Sequence, residues 1–133
     1  MAQRYDSRHT GLDAYVLASK TFADSPWLHY GMWEPDERVV MPNVRRAQER
    51  YVEHLLALLP PAPASVLDIG GGTGELARHM VSKGYQVELI TPSPVQAEEA
   101  RGKLAPETVH ECFFEDFTTK MRFDVCLFSE SFQ

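Results

Sequence analysis

Val66-Leu67-Asp68-Ile69-Gly70-Gly71-Gly72-Thr73-Gly74-Glu75-Leu76-Ala77 is the stretch on which the reading of this chain turns. An apolar run carrying one carboxylate meets a cluster of glycines, and a helix-forming run follows. Such a join predicts a strand, a tight turn and a helix start. Glycine tolerates positive φ and lets a ligand approach bare backbone. Behind the turn, the helix N-terminus offers free amide protons and a partial positive charge, which suits a carboxylate or a phosphate. The turn is therefore expected to hold an anionic, nucleotide-like ligand.

Downstream of it, short apolar runs alternate with helical segments. Strands are predicted at 65–69, 87–90, 109–113 and 123–128, with helices near Glu75 to Lys83 and Pro94 to Leu104. That alternation implies an α/β fold, a Rossmann-like parallel sheet with helices on its faces. Upstream, Val44, Ala47, Tyr51, Val52, Leu55, Leu56 and Leu59 recur at spacings of three and four, the stripe of an amphipathic helix starting near Asn43. Pro60, Pro61 and Pro63 must end it, because proline lacks the amide proton and disfavours helix in the residue before it. Residues 1–42, rich in aromatics and with one short helical stretch from Leu12 to Thr21, read as an N-terminal cap. Residues 43–133 read as the partial cofactor-binding domain.

With 133 residues, 44% hydrophobic and 24% charged, the composition is that of a globular domain and not of a disordered chain. Thirteen basic against 19 acidic residues leave a net charge of −6, which argues against nucleic acid or an anionic membrane surface as the main partner. A small-molecule substrate is expected. No apolar run approaches the roughly 20 residues of a membrane span, and the start lacks the apolar stretch of a secretory leader, so a cytoplasmic setting is expected. Cys112 and Cys126 both lie in apolar runs; they are expected to be small buried hydrophobes and not metal ligands.

Two ligand classes use a glycine turn of this kind. Gly72-x-Gly74-x-x-Ala77 satisfies the dinucleotide fingerprint of nicotinamide and flavin oxidoreductases, so that reading stays open on the glycines alone. It also calls for an acidic residue at the end of the second strand, where Thr91 stands. Asp68, at the end of the first strand, is unwelcome to a pyrophosphate and favourable to a ligand carrying an ammonium and a sulfonium. A third reading, a noncatalytic binding fragment completed by another chain, is not excluded by any motif.

Asp68-x-Gly70-x-Gly72-x-Gly74 after an apolar strand resembles motif I of the class I S-adenosylmethionine-dependent methyltransferases. The resemblance implies S-adenosyl-L-methionine as cofactor, S-adenosyl-L-homocysteine as product, and Asp68, Gly70, Gly71, Gly72 and Gly74 as cofactor-binding residues. Thr91-Pro92-Ser93-Pro94-Val95-Gln96 is similar to the second motif of the subgroup that includes cyclopropane fatty acid synthases. It implies Thr91 and Gln96 at the ribose and Pro92 at the adenine face. Phe113-Phe114-Glu115-Asp116-Phe117 then places Phe114 against adenine and Glu115 at its exocyclic amine, with Asp116 as the neighbour in doubt. Leu28-His29-Tyr30-Gly31-Met32-Trp33 resembles an element that folds over the methionine end of the cofactor in natural-product and lipid methyltransferases, which brings in Tyr30. Backbone at Phe128 and Ser129 is a candidate contact, and Glu130 and Gln133 are candidates to face an acceptor.

The expected activity is methyl transfer to a small-molecule or lipid-like acceptor, an in-line displacement that needs alignment and dryness more than a protein nucleophile. His29 or Glu130 is the nearest candidate base. In this family the sheet has seven strands. The chain is therefore expected to be the front half of that fold, a truncated or split polypeptide, weak in catalysis alone and prone to self-association or pairing through an exposed fourth strand.

Overall fold

The structure, a computed structural model, describes residues 14, 17, 18, 20–22, 24–129 and 131. Helix α1 spans Met41–Leu58, β1 Ser65–Ile69, α2 Glu75–Ser82, β2 Gln86–Thr91, α3 Pro94–Arg101, β3 Val109–Glu111 and β4 Val125–Leu127. Single 3₁₀ turns occupy Pro106–Thr108 and Phe114–Asp116. The four strands form one parallel sheet in the order β3-β2-β1-β4. Strand β1 thus lies between a neighbour on each side, β2 and β4, and the chain reverses its direction of travel across the sheet after β3. Open α/β sheets hold ligands outside the carboxyl ends of the strands at such a reversal.

Alternation along the strands builds two apolar faces. Val66, Val87 and Leu89 point to the side covered by Val52 of α1, Leu76, Ala77 and Met80 of α2, and Ala97 and Ala100 of α3. Leu67, Ile69 and Ile90 point the other way, against Cys112, Phe117, Phe123 and Phe128. Met80 and Leu89 are wholly buried, each stabilising the fold by about 2–3 kcal/mol. Ser93 caps α3, its hydroxyl accepting from Gln96 N at 3.2 Å, with Pro94 in the first turn. Leu59 leaves α1 in an extended conformation just before Pro60, as the proline block requires.

Three expectations are corrected. The third strand ends at Glu111 and not at Phe113, because Phe114–Asp116 coil into a 3₁₀ turn that carries the aromatics away from the ladder. The fourth is only three residues long: it pairs with β1 at Val125, Cys126 and Leu127 and has no second strand neighbour among the described residues. Cys126 is accordingly exposed and Cys112 half-buried, neither being a fully buried core residue. Described residues of the N-terminal stretch (14, 17, 18, 20–22) are helical, and Lys20 reaches Glu99 of α3 at 2.5 Å.

Candidate cofactor site

At the carboxyl ends of β1, β2 and β4 lies a cavity of about 680 Å³. Its floor is the turn after β1. The amides of Gly70 and Gly71 both donate to the Ile90 carbonyl, at 2.9 and 3.1 Å, which ties the turn to the end of β2. Lys103 donates to the Thr73 carbonyl at 3.0 Å and pairs with Glu75 and Glu99, fastening the far side of the turn to α2 and α3.

Asp68 lies beneath this turn with no exposed surface, and neither carboxylate oxygen has a hydrogen-bond partner among the described residues. Burial without a partner pushes its carboxyl up to about 7. A Cβ on Gly71 would stand 2.6 Å from Asp68 Oδ2 and from Leu89 Cδ1, so only glycine fits over the carboxylate. Gly72 differs. Its φ of +59° favours glycine, yet a Cβ there would meet nothing nearer than Leu28 Cδ1 at 3.4 Å and would project between Leu28 and Gln96, two cavity-wall residues.

Most of the residues singled out from the sequence converge on this one cavity. Asp68, Gly70, Gly71 and Gly72 supply its floor; Thr91, Pro92 and Gln96 its β2 side; Phe114 and Glu115 an outer wall; Tyr30 the cap side; and Phe128 with Ser129 the β4 side. Gly74 does not line it. At φ +77°, it starts α2, where a Cβ would meet Ala100 Cβ at 3.0 Å and Cα at 3.2 Å, so it serves the close approach of α2 to α3. Thr91 and Gln96 are both buried and bonded to each other, Thr91 Oγ1 donating to Gln96 Oε1 at 2.9 Å. That bond leaves the Gln96 amide hydrogens as donors and the Thr91 oxygen as an acceptor for a ligand hydroxyl. No carboxylate stands at this strand end. Phe114 packs edge-on against Phe128, ring centres 5.5 Å apart, and closes the outer wall. Asp116 is exposed and is not among the residues that line the cavity, while Glu130 and Gln133 fall outside the described residues.

Sequence reasoning missed the residue that holds the cap. Gln48 of α1 is buried; its Oε1 accepts from Ser25 Oγ at 2.5 Å, and its Nε2 donates to the carbonyls of Trp27 at 3.2 Å and His29 at 2.5 Å. One carboxamide therefore pins residues 25–29 across the cavity. The signal was present as a polar residue within the apolar stripe of α1. A second anchor is ionic: Arg50 donates to the Met32 carbonyl and to Glu37, and Arg46 also pairs with Glu37. Arg50, then Arg46, holds the Glu37 carboxyl down to about 2. Ser131 was missed too; its hydroxyl donates to the Ile69 carbonyl at the end of β1.

A parallel sheet with a glycine turn over a buried carboxylate defines a Rossmann-like α/β domain with its cavity at the strand ends. The methyltransferase-domain model matches residues 43–132, and the chain belongs to that family. A probable chloroplastic tocopherol O-methyltransferase of Oryza sativa subsp. japonica is 37% identical over 87 residues, 60% of this chain and 24% of that protein. An uncharacterized methyltransferase of Mycobacterium tuberculosis (strain ATCC 25618 / H37Rv) is 42% identical over 52 residues, 39% of this chain and 21% of that protein. Among solved structures, the [4+2]-cyclase SpnF superposes with a TM-score of 0.64 at 22% identity, over 91% of this chain and 48% of that one. Geranyl diphosphate C-methyltransferase from Streptomyces coelicolor A3(2), solved with Mg²⁺, geranyl diphosphate and S-adenosyl-L-homocysteine, gives 0.51 at 18% identity, over 76% and 45%. The chain thus spans about a quarter of its curated relatives and about half of these solved chains. The structural likenesses establish the fold, which one neighbour uses as a cyclase.

Proposed function

We propose that this chain carries the cofactor-holding part of an S-adenosylmethionine-dependent methyltransferase acting on a small or lipid-like acceptor. The observation that carries the reading is Asp68: a buried, unpartnered carboxylate under a glycine turn, at the end of the first strand. A buried charge needs a partner, and the partner that fits is a ligand bearing positive charge. A dinucleotide pyrophosphate would add like charge at that point. Membership of the methyltransferase family and the homocysteine nucleoside bound to a structural relative support the same ligand.

When bound, S-adenosylmethionine supplies a methyl carbon on a cationic sulfur, open to in-line attack. The residues of this chain hold and enclose it. Asp68 and the turn Gly70-Gly71-Gly72 take the amino-acid portion, the Thr91–Gln96 pair the ribose hydroxyls, and Pro92 and Phe114 the faces of adenine. Glu115 accepts from the adenine amine, backbone at Phe128 borders the methionine end, and Tyr30 with the cap excludes water. Ionisation of Asp68, unfavourable while it is buried alone, becomes favourable beside a cation.

Calorimetric titration with S-adenosylhomocysteine and, separately, NAD tests the reading on the chain as it stands. Saturable binding of the sulfur nucleoside with NAD inert is expected. Binding of NAD in its place would overturn the assignment. The same fold serves a cyclase, so the second arm is methyl transfer itself, measured with radiolabelled cofactor on the complete polypeptide.

A further inference from the structure

Of the cavity-lining side chains that the proposed function leaves unassigned, His29 is the one with buried polar atoms, both of its ring nitrogens, that lack a hydrogen-bond partner among the described residues. Leaving a buried polar atom unbonded costs on the order of 1–3 kcal/mol, so such a ring calls for a partner from outside the chain. Its position is fixed. The ring lies 4.5 Å from Tyr51 and 5.7 Å from Trp27, centre to centre, and its carbonyl is held by Gln48. Tyr51 Oη in turn stands 3.4 Å from Ser129 Oγ, just past β4. Through Tyr51, His29 is linked to the end of β4, and it is not one of Thr91, Gln96 and Phe114, the residues that the proposed function gives to the nucleoside.

Resting on that reading, we propose that His29 is the specificity-determining residue for the acceptor: its imidazole nitrogen accepts a hydrogen bond from the acceptor's hydroxyl, so that the substrate class is an alcohol or phenol presented against Trp27 on the cavity wall. Burial lowers the His29 imidazolium to about 4, so at neutral pH the ring is uncharged and has a free lone pair for an O–H donor. An uncharged ring also adds no repulsion toward a cationic sulfur. With so low a proton affinity, it orients the hydroxyl and discriminates for it without storing its proton. A site built around such a bond rejects the analogue that lacks the hydroxyl, because the nitrogen is then left unbonded again.

The test uses the full chain saturated with S-adenosylhomocysteine, 2-naphthol and its methyl ether as probes, and calorimetry with tryptophan fluorescence as readouts. The expected result is at least tenfold tighter binding of naphthol than of the ether. His29→Phe, which keeps a flat ring between Trp27 and Tyr51 without nitrogens, should abolish that ratio, and His29→Gln, which restores an acceptor, should recover part of it. No preference in the unaltered chain, or a preference that survives in His29→Phe, overturns the inference. The nucleoside is titrated into each variant first. Failure of the unaltered chain to bind it would sink the methyltransferase reading itself, whereas normal nucleoside binding with an unmoved naphthol ratio sinks only the role of His29. If His29→Phe fails to fold, the ratio in His29→Gln decides: it must fall below that of the unaltered chain or the inference fails.

Discussion

Replacing Asp68 by asparagine separates what this residue does for the fold from what it does for the ligand. In the folded chain its pKa is raised from 3.8 to about 7 by burial. A raised folded pKa means that the native state binds the proton more tightly than the unfolded chain does. The neutral acid therefore carries no charge penalty below the unfolded value, near pH 4. Destabilisation grows as the pH rises through 4 to 7 and is complete above 7. At 1.36 kcal/mol per unit the lift amounts to about 4 kcal/mol, an upper figure because water and relaxation soften buried charges. Asparagine does not titrate, and its own unbonded amide costs about 1–3 kcal/mol at every pH. The clean quantity is thus the change in the stability difference with pH. Asp68→Asn should gain about 2–4 kcal/mol relative to the unaltered chain between pH 4 and pH 8, which is roughly 8–16 °C in melting temperature for a domain of this size. Urea denaturation at several pH values, without ligand, measures it. In parallel, S-adenosylmethionine should bind the variant at least tenfold more weakly at pH 8. A pH-independent stability difference would refute the argument that Asp68 is a buried charge awaiting a partner.

Gly72→Leu should fold, at a cost of about 1–2 kcal/mol for its left-handed backbone, yet lose nucleoside binding because the side chain enters the cavity; circular dichroism with calorimetry reads both. Gly74→Val should do the reverse in kind, destabilising by about 2–4 kcal/mol through collision with Ala100 and strained φ, measurable as a lower denaturation midpoint. Gln48→Leu should cost about 2–4 kcal/mol, since the Ser25 hydroxyl and the Trp27 and His29 carbonyls lose their common partner, and hydrogen exchange should rise in residues 25–29. Glu37, with its depressed pKa, stabilises the cap above about pH 4.5 and loses that contribution as the pH falls toward 2; protection of residues 31–37 should drop on acidification in the unaltered chain and be pH-insensitive in Glu37→Gln.

Local rules carried most of the fold. β1 was read at its observed limits because an apolar run, a glycine turn and a helix start agree over residues 65–77, and the ends of α1 and α3 follow from Pro60 and from Ser93-Pro94. Errors cluster where tertiary pairing decides. Phe113 and Phe114 have strand propensity, yet lie beyond the last β2 partner and fold into a turn; β4 keeps only the residues that β1 can pair. The site was legible as composition but not as wiring. Thr91 and Gln96, expected at a ribose, both line the cavity, while their bond to one another follows from how α3 returns over β2. Gly74 looked like part of the cradle because its spacing is that of the loop glycines, although its neighbour is a helix. Gln48 and Ser131 act across 19 to 62 residues of sequence, a separation that no local pattern reports.

The Gln48 carboxamide grips the main chain on either side of Leu28, so that flank of the pocket is a fixed jaw riding on α1. A molecule as large as a nucleoside cannot enter by prying it open without breaking several buried bonds at once. The short turn that bears the half-exposed Phe114, between β3 and β4, has its ring held against Phe128 and no such carboxamide across it. Loosening that ring pair therefore breaks fewer buried bonds than loosening the cap, whose grip on α1 makes it the stiffer of the two walls.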